Sequence, residues 1–91
     1  MAQPGLSILI DLSQADPEIV LEGDLDLTTA PALEQVLDCI VRSGFPVVHV
    51  DFSGVDRIEL SALKVFSDLR RSCRCTVWNA TPEVVRHVEG M

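Results

Sequence analysis

Few side chains in this sequence have the type and spacing that a reaction needs. The two histidines stand in unrelated contexts: His49 interrupts the run Val47-Val48-His49-Val50, and His87 follows Pro82 in a polar-faced segment. Neither has a serine, cysteine or carboxylate at a separation that predicts a nucleophile and base. His49 therefore reads as a packed or half-covered strand residue and His87 as solvent-facing. Cys39, Cys73 and Cys75 are odd in number, and Cys-Arg-Cys fits neither a zinc spacing nor a redox Cys-x-x-Cys, so reduced thiols are expected. The 5 glycines are scattered singly, with no phosphate-cradling loop. What remains is oxygen chemistry. Asp24, Asp26, Asp51, Asp56 and Glu59 fall near strand ends, where clustered carboxylates can hold a hard cation. With no ordered ligand spacing, a solvated acidic rim is the simpler reading. Ser61 stands where a helix should begin, so its hydroxyl can cap backbone N–H groups, carry a phosphate beside the helix dipole, or do both.

These residues are positioned by the stretch Val47 to Leu69. Its β-branched beginning predicts a strand covered on both faces. Asp51-Phe52-Ser53-Gly54 then predicts a stop, with the loop Gly54 to Glu59 leading to a helix start near Leu60 and Ser61. Ala62, Val65, Phe66, Leu69 and Cys73 recur at helical spacing, while Lys64, Ser67, Asp68, Arg70 and Arg71 fall largely opposite. A helix packed along a sheet follows, fraying near Ser72 to Arg74.

Upstream, Leu6, Ile8, Ile10 and Leu12 alternate with Ser7, Leu9 and Asp11, and Ile19 to Leu21 gives a second strand ended by Gly23-Asp24. The short link between them, Ser13 to Pro17, predicts an antiparallel hairpin. Thr28 or Thr29 can cap the next helix, with Pro31 in its first turn. Its stripe is Leu33, Val36, Leu37, Ile40 and Val41, and Gly44 and Pro46 end it. Downstream, Cys75 to Trp78 reads as the last strand. Thr81-Pro82-Glu83 opens a helix whose buried side is Val84, Val85 and Val88 and which Gly90 closes. The order β-β-α-β-α-β-α implies an α/β chain with α+β layering, a mixed sheet against helices.

Composition narrows the function classes. Ninety-one residues make one domain, residues 1–91, with 47% hydrophobic content marking it as globular. A formal charge of −7 with a single lysine argues against nucleic acid or an anionic membrane surface, and favours a basic face on any protein partner. No apolar run reaches the ~18 residues of a membrane span, and MAQPGLS lacks signal-peptide features, so direct membrane insertion is not expected and a cytoplasmic location is.

DFSGVDRIELSALKVF resembles the signature of STAS domains, the fold of bacterial anti-sigma factor antagonists, whose motif runs roughly Asp-Leu-Ser-Gly-Val, a short link, then Ile-Asp-Ser-Ser-Gly-Leu. GDLDLTTAPALEQVL resembles the family's second landmark, a Gly-acid-Leu-Asp turn feeding the first helix. The resemblance covers the chain from about Leu6 to Gly90. The resemblance implies a mixed four-stranded sheet packed against about three to four helices, and a non-enzymatic, cofactor-free protein-interaction module in transcription regulation. The departures bear on function. Leu60 stands at the family's phosphoacceptor serine, Glu59 replaces the preceding Asp, Ser61 matches the second serine, and Ala62 replaces the Gly. The implied switch is therefore lost, or moved to Ser61 as a candidate phosphorylation site. Leu60 is either an apolar knob on the interaction face or tucked inward beside Leu63 and Ile58. The implied partner surface is Asp24, Asp26, Thr28, Glu59, Leu60, Ser61 and Lys64. The implied partner is an anti-sigma factor or serine-kinase-like protein, or alternatively the ATPase subunit of a lipid-trafficking ABC transporter.

Overall fold

The computed structural model describes residues 5–89, so the helix-closing role expected of Gly90 and most of the MAQPGLS segment lie outside the described residues. Strands β1 (Leu6–Asp11) and β2 (Glu18–Leu25) form the antiparallel hairpin that their short link predicts. Helix α1 (Ala30–Ser43) crosses over to β3 (Val47–Ile58), which lies parallel to β2. A 3₁₀ segment, Leu60–Val65, runs into α2 (Phe66–Ser72), and β4 (Arg74–Trp78) then pairs parallel to β3. Helix α3 (Pro82–Glu89) completes the described chain. The sheet is mixed, in the order β1-β2-β3-β4.

The period-2 and period-3.6 patterns meet on one side of this sheet. Ile19, Leu21 and Leu25 of β2 and Val48, Val50 and Phe52 of β3 bury their side chains against Leu33, Leu37 and Ile40 of α1, Phe66 and Leu69 of α2, and Val84 and Val88 of α3. Phe66 is fully buried, and its ring lies 6.1 Å from that of Phe52. Gly44 ends α1 with φ +77°, donating its N–H to the Val41 carbonyl oxygen. Thr81 Oγ1 accepts from Val84 N–H at 3.3 Å, the capping bond that Thr81-Pro82-Glu83 predicts.

Three expectations fail locally. The Val47–Val50 run is covered on one face only: Val48 and Val50 are buried, while Val47 and His49 are half-exposed on the side away from the helices. A β-branched run scores the same whether one or both faces are covered, and this sheet has a single helical layer. Second, Ser53-Gly54 is no stop, because β3 continues to Ile58. Paired rows Glu22 with Gly54, Gly23 with Val55, Asp24 with Arg57 and Leu25 with Ile58 carry both strands beyond their expected ends, with register shifts at Val20/Glu22 and Gly23/Asp24. Gly54 serves close approach instead of turning: a Cβ there would lie 2.6 Å from Glu22 Cγ and 3.1 Å from the Leu21 carbonyl oxygen. Third, the single helix expected from Ala62 is a 3₁₀ segment followed by a short α-helix. Among the described residues no helix is long and apolar enough to cross a membrane.

Candidate protein-interaction rim

The two landmark segments are far apart in sequence and adjacent in space. Leu25 pairs with Ile58, and Glu59 N–H donates to the Leu25 carbonyl oxygen at 2.9 Å, so the turn after β2 and the 3₁₀ start after β3 leave the same end of the sheet side by side. In parallel strands the following crossovers all depart from the carboxyl ends, which is where grafted sites gather in layered α/β folds.

The first wall of this rim is organised by Asp26. Its Oδ1 accepts from Thr28 N–H at 2.9 Å, Thr28 Oγ1 at 2.6 Å and Thr29 N–H at 3.0 Å. Thr29 Oγ1 accepts from Asp26 N–H at 3.0 Å and donates to the Asp24 carbonyl oxygen at 2.9 Å. Thr29 holds the N-cap position of α1 yet makes no side-chain cap bond; its hydroxyl ties the turn to β2 instead of the helix, which differs from the expected cap. The Thr28 hydroxyl, then the backbone amides, hold the Asp26 carboxyl below its ordinary value of 3.8. A carboxylate depressed in the folded state contributes stability above the unfolded value and loses it as pH falls through the folded one. Stability should therefore decline below about pH 3.8. Asp26→Asn, which keeps an acceptor oxygen, should flatten that part of the acid profile, and Asp26→Ala should lower the melting temperature further at neutral pH. Thermal melts between pH 2 and 7 check this; equal acid profiles for wild type and Asp26→Asn would refute it.

The second wall is Glu59 to Lys64. Glu59 is the N-cap residue of the 3₁₀ segment, in extended conformation, and no side chain caps that segment, so Ser61, exposed one residue inside it, does not take the capping role open to it in the sequence. Ala62 N–H bonds back to the Glu59 carbonyl oxygen at 2.9 Å. Leu60 keeps 38% of its surface exposed, whereas its neighbours Ala62 and Leu63 are buried. Leu60, Ser61 and Lys64 face Arg70 and His87 across a shallow hollow of about 250 Å³. Arg70 Nη1 donates to the His87 carbonyl oxygen at 2.6 Å, and His87 is exposed, as expected.

Leu27, at 59% exposure, is the residue that sequence reasoning passed over. It lies two positions beyond Leu25 as Leu60 lies two beyond Ile58, so two exposed apolar residues follow paired strand ends, each directly after an acidic residue. The signal was present as a leucine inside a turn-forming sequence, out of register with the apolar stripe of α1.

The five acids do not form a cation site. Asp51 lies within β3, its Oδ1 accepting from Ser53 N–H at 2.9 Å and Asn79 Nδ2 at 3.0 Å, bonds that lower its pKa, that to Asn79 most. Among the described residues no three His, Cys, Asp or Glu side chains are grouped as metal ligands. Burial pushes the Cys75 thiol up to about 12, which makes it a poor nucleophile. His49 is half-buried, its ring stacked on Trp78 with centroids 4.8 Å apart.

The family model described as Mlab, STAS domain matches residues 8–89. No curated protein matches the chain. Among solved structures, an anti-sigma factor antagonist from Mycobacterium paratuberculosis superposes with a TM-score of 0.73 at 21% identity, over 93% of this chain and 78% of that one. The anti-sigma factor antagonist SpoIIAA in its unphosphorylated form superposes with a TM-score of 0.68 at 17% identity, over 90% of this chain and 76% of that one. Such likeness establishes the mixed sheet and its helical layer as a shared fold, and with a family model matched over almost its whole length the chain belongs to the STAS domain family.

Proposed function

We propose that this chain is a single-domain, non-enzymatic regulatory module that binds an anti-sigma factor or serine-kinase-like protein through the rim formed by Asp24, Asp26 and Thr28 on one side and Glu59, Leu60, Ser61 and Lys64 on the other. The observation that carries the reading is the juxtaposition of Leu27 and Leu60, exposed at paired strand ends. Exposed apolar anchors inside a polar frame are what a protein interface needs, and a phosphorelay does not need them. Asp24, Asp26, Asp56 and Glu59 around them call for a basic face on the partner. The module acts in the cytoplasm, in transcription regulation.

Leucine at position 60 accepts no phosphate. Incubation with ATP and the cognate kinase should leave the intact mass unchanged, whereas a stoichiometric gain located at Ser61 would show that the switch has moved one residue on. The binding test mixes the chain with anti-sigma and serine-kinase-like proteins from the same organism. A stable complex should form and lose at least tenfold in affinity with Leu60→Asp, the size expected for an interface anchor. Failure of every such candidate to bind would defeat the reading. A second reading, a fixed subunit docked by the same rim on a transporter ATPase, is favoured by the loss of the acceptor serine, since a permanent subunit needs no phosphate release. Co-purification with a membrane complex in place of a soluble kinase would select it.

A further inference from the structure

The net charge of the chain is not spread evenly. On the three α-helices and the 3₁₀ segment, Glu34, Asp38, Asp68, Glu83 and Glu89 are matched by Arg42, Lys64, Arg70, Arg71 and Arg86. The strands and their connections hold the other nine carboxylates against Arg57 and Arg74, and so carry the whole formal charge of −7. Three of those carboxylates, Asp24, Asp26 and Glu59, belong to the rim already described, and Asp56 lies just before it in β3. The remaining five, Asp11, Asp16, Glu18, Glu22 and Asp51, lie on or beside the sheet face that no helix covers.

That face carries apolar side chains within its acidic field, in a row that one carboxylate, Asp51, interrupts. The strand register sets Leu9, Val20, Asp51 and Trp78 in one row across all four strands. Leu9 is 64% exposed at one end and Trp78 39% exposed at the other. With strands about 4.8 Å apart, three steps separate these anchors by about 14 Å. The next row sets Asp11 beside Glu18 and His49 on one flank, and Glu22 stands on the other. On the first flank a cavity of about 320 Å³ is lined by Asp16, Glu18, His49 and Trp78, with Asp16 Oδ2 3.5 Å from His49 Nε2. It has room for one basic side-chain head, with two carboxylates as counter-charges.

We propose that the uncovered sheet face is a second docking surface, whose occupant is a basic amphipathic segment of another protein. Its apolar residues rest on Leu9, Val20 and Trp78, and its Lys or Arg side chains reach Asp51 within the row and the carboxylates on both flanks. Charge decides against the other occupants. A second copy laid face to face would oppose five carboxylates and a single cation, Arg74, to the same set, and an anionic bilayer or nucleic acid meets the same net repulsion. The face lies across the sheet from the helical layer, so its occupation is independent of the rim.

The test uses the whole chain, isotope-labelled for NMR, titrated with an amphipathic Leu/Lys peptide of about 14 residues, long enough at about 1.5 Å per residue to span the row. Saturable, salt-weakened binding is expected, with shifts centred on Leu9, Val20, His49 and Trp78. Leu9→Asp and Trp78→Ala should each weaken it about tenfold, the effect of losing an interface anchor. Leu27→Asp and Leu60→Asp should leave it unchanged, which separates this surface from the rim. Leu9 is largely exposed, so Leu9→Asp should melt close to wild type, whereas Trp78→Ala also removes the stacking on His49; a variant whose melting temperature falls is replaced by Glu18→Lys. No saturable binding by about 1 mM peptide, a free energy of only about −4 kcal/mol, would overturn the proposal. So would shifts centred on the rim, or equal binding of a Leu/Glu peptide. Dimerisation lost with Leu9→Asp, or adsorption to phosphatidylglycerol vesicles, would overturn it in favour of a second copy or a membrane.

Discussion

Truncating Phe66 to alanine should cost about 3–5 kcal/mol, the range for emptying a fully buried aromatic site, a large share of the stability of a domain of this size, about 5–15 kcal/mol. Phe66 is the largest fully buried side chain and the first residue of α2, where the 3₁₀ segment passes into regular helix. Its Cα direction is therefore shared by two elements: it closes the core against Phe52 on β3, and it fixes how Leu60–Val65 leaves the strand end. The cavity left by alanine has strand backbone on one side and helices on the other, so it collapses poorly. Phe66→Leu, which refills most of the volume, should cost less than half as much. Urea unfolding followed by far-UV circular dichroism measures both. Equal, small losses would mean that the core is less closely packed around this ring than its burial implies.

Gly23→Ala should be the second most damaging small change. Gly23 sits at a register shift in β2 with φ +105°, where an L-residue is strained by about 1–3 kcal/mol before any contact is counted. A Cβ would also overlap the Gly5 carbonyl oxygen, which is backbone and accepts from Asp24 N–H, so neither partner can swing away. Gly44 is the control. Its φ is +77°, but nothing lies within 4 Å of the added carbon, so Gly44→Ala should cost only the left-handed penalty, about 1 kcal/mol. Because Gly23 directs β2 into the Asp26 turn, its substitution should weaken partner binding beyond the loss of stability, and Gly44→Ala should not. If Gly44→Ala proves the more destabilising, the bulge is not the constraint described.

Gly23, unlike Gly44, shows where local pattern and tertiary contact diverge. The stripe of α1 and the Thr81-Pro82-Glu83 start of α3 are written in spacing alone, because a helix repeats every 3.6 residues whatever it packs against. The DFSGVDRIELSALKVF and GDLDLTTAPALEQVL landmarks were equally legible, and so was the hairpin, since a link of a few residues permits little else. Gly23 and Gly54 looked like ordinary turn residues. In the folded chain they sit inside strands at sites of close backbone approach, a requirement set by a neighbouring strand that no local window contains.

By itself the sequence determined the element order, the mixed sheet, the family resemblance and the replacement of an acceptor serine by Leu60, all of which depend on residue type and short-range period. Only the tertiary structure decided that β3 runs on to Ile58, that Leu27 joins Leu60 at one rim, and that the helical layer is charge-balanced while the carboxylates crowd the sheet side. Those facts depend on strand register, which places residues far apart in the chain in one row, and register is settled by the core as a whole.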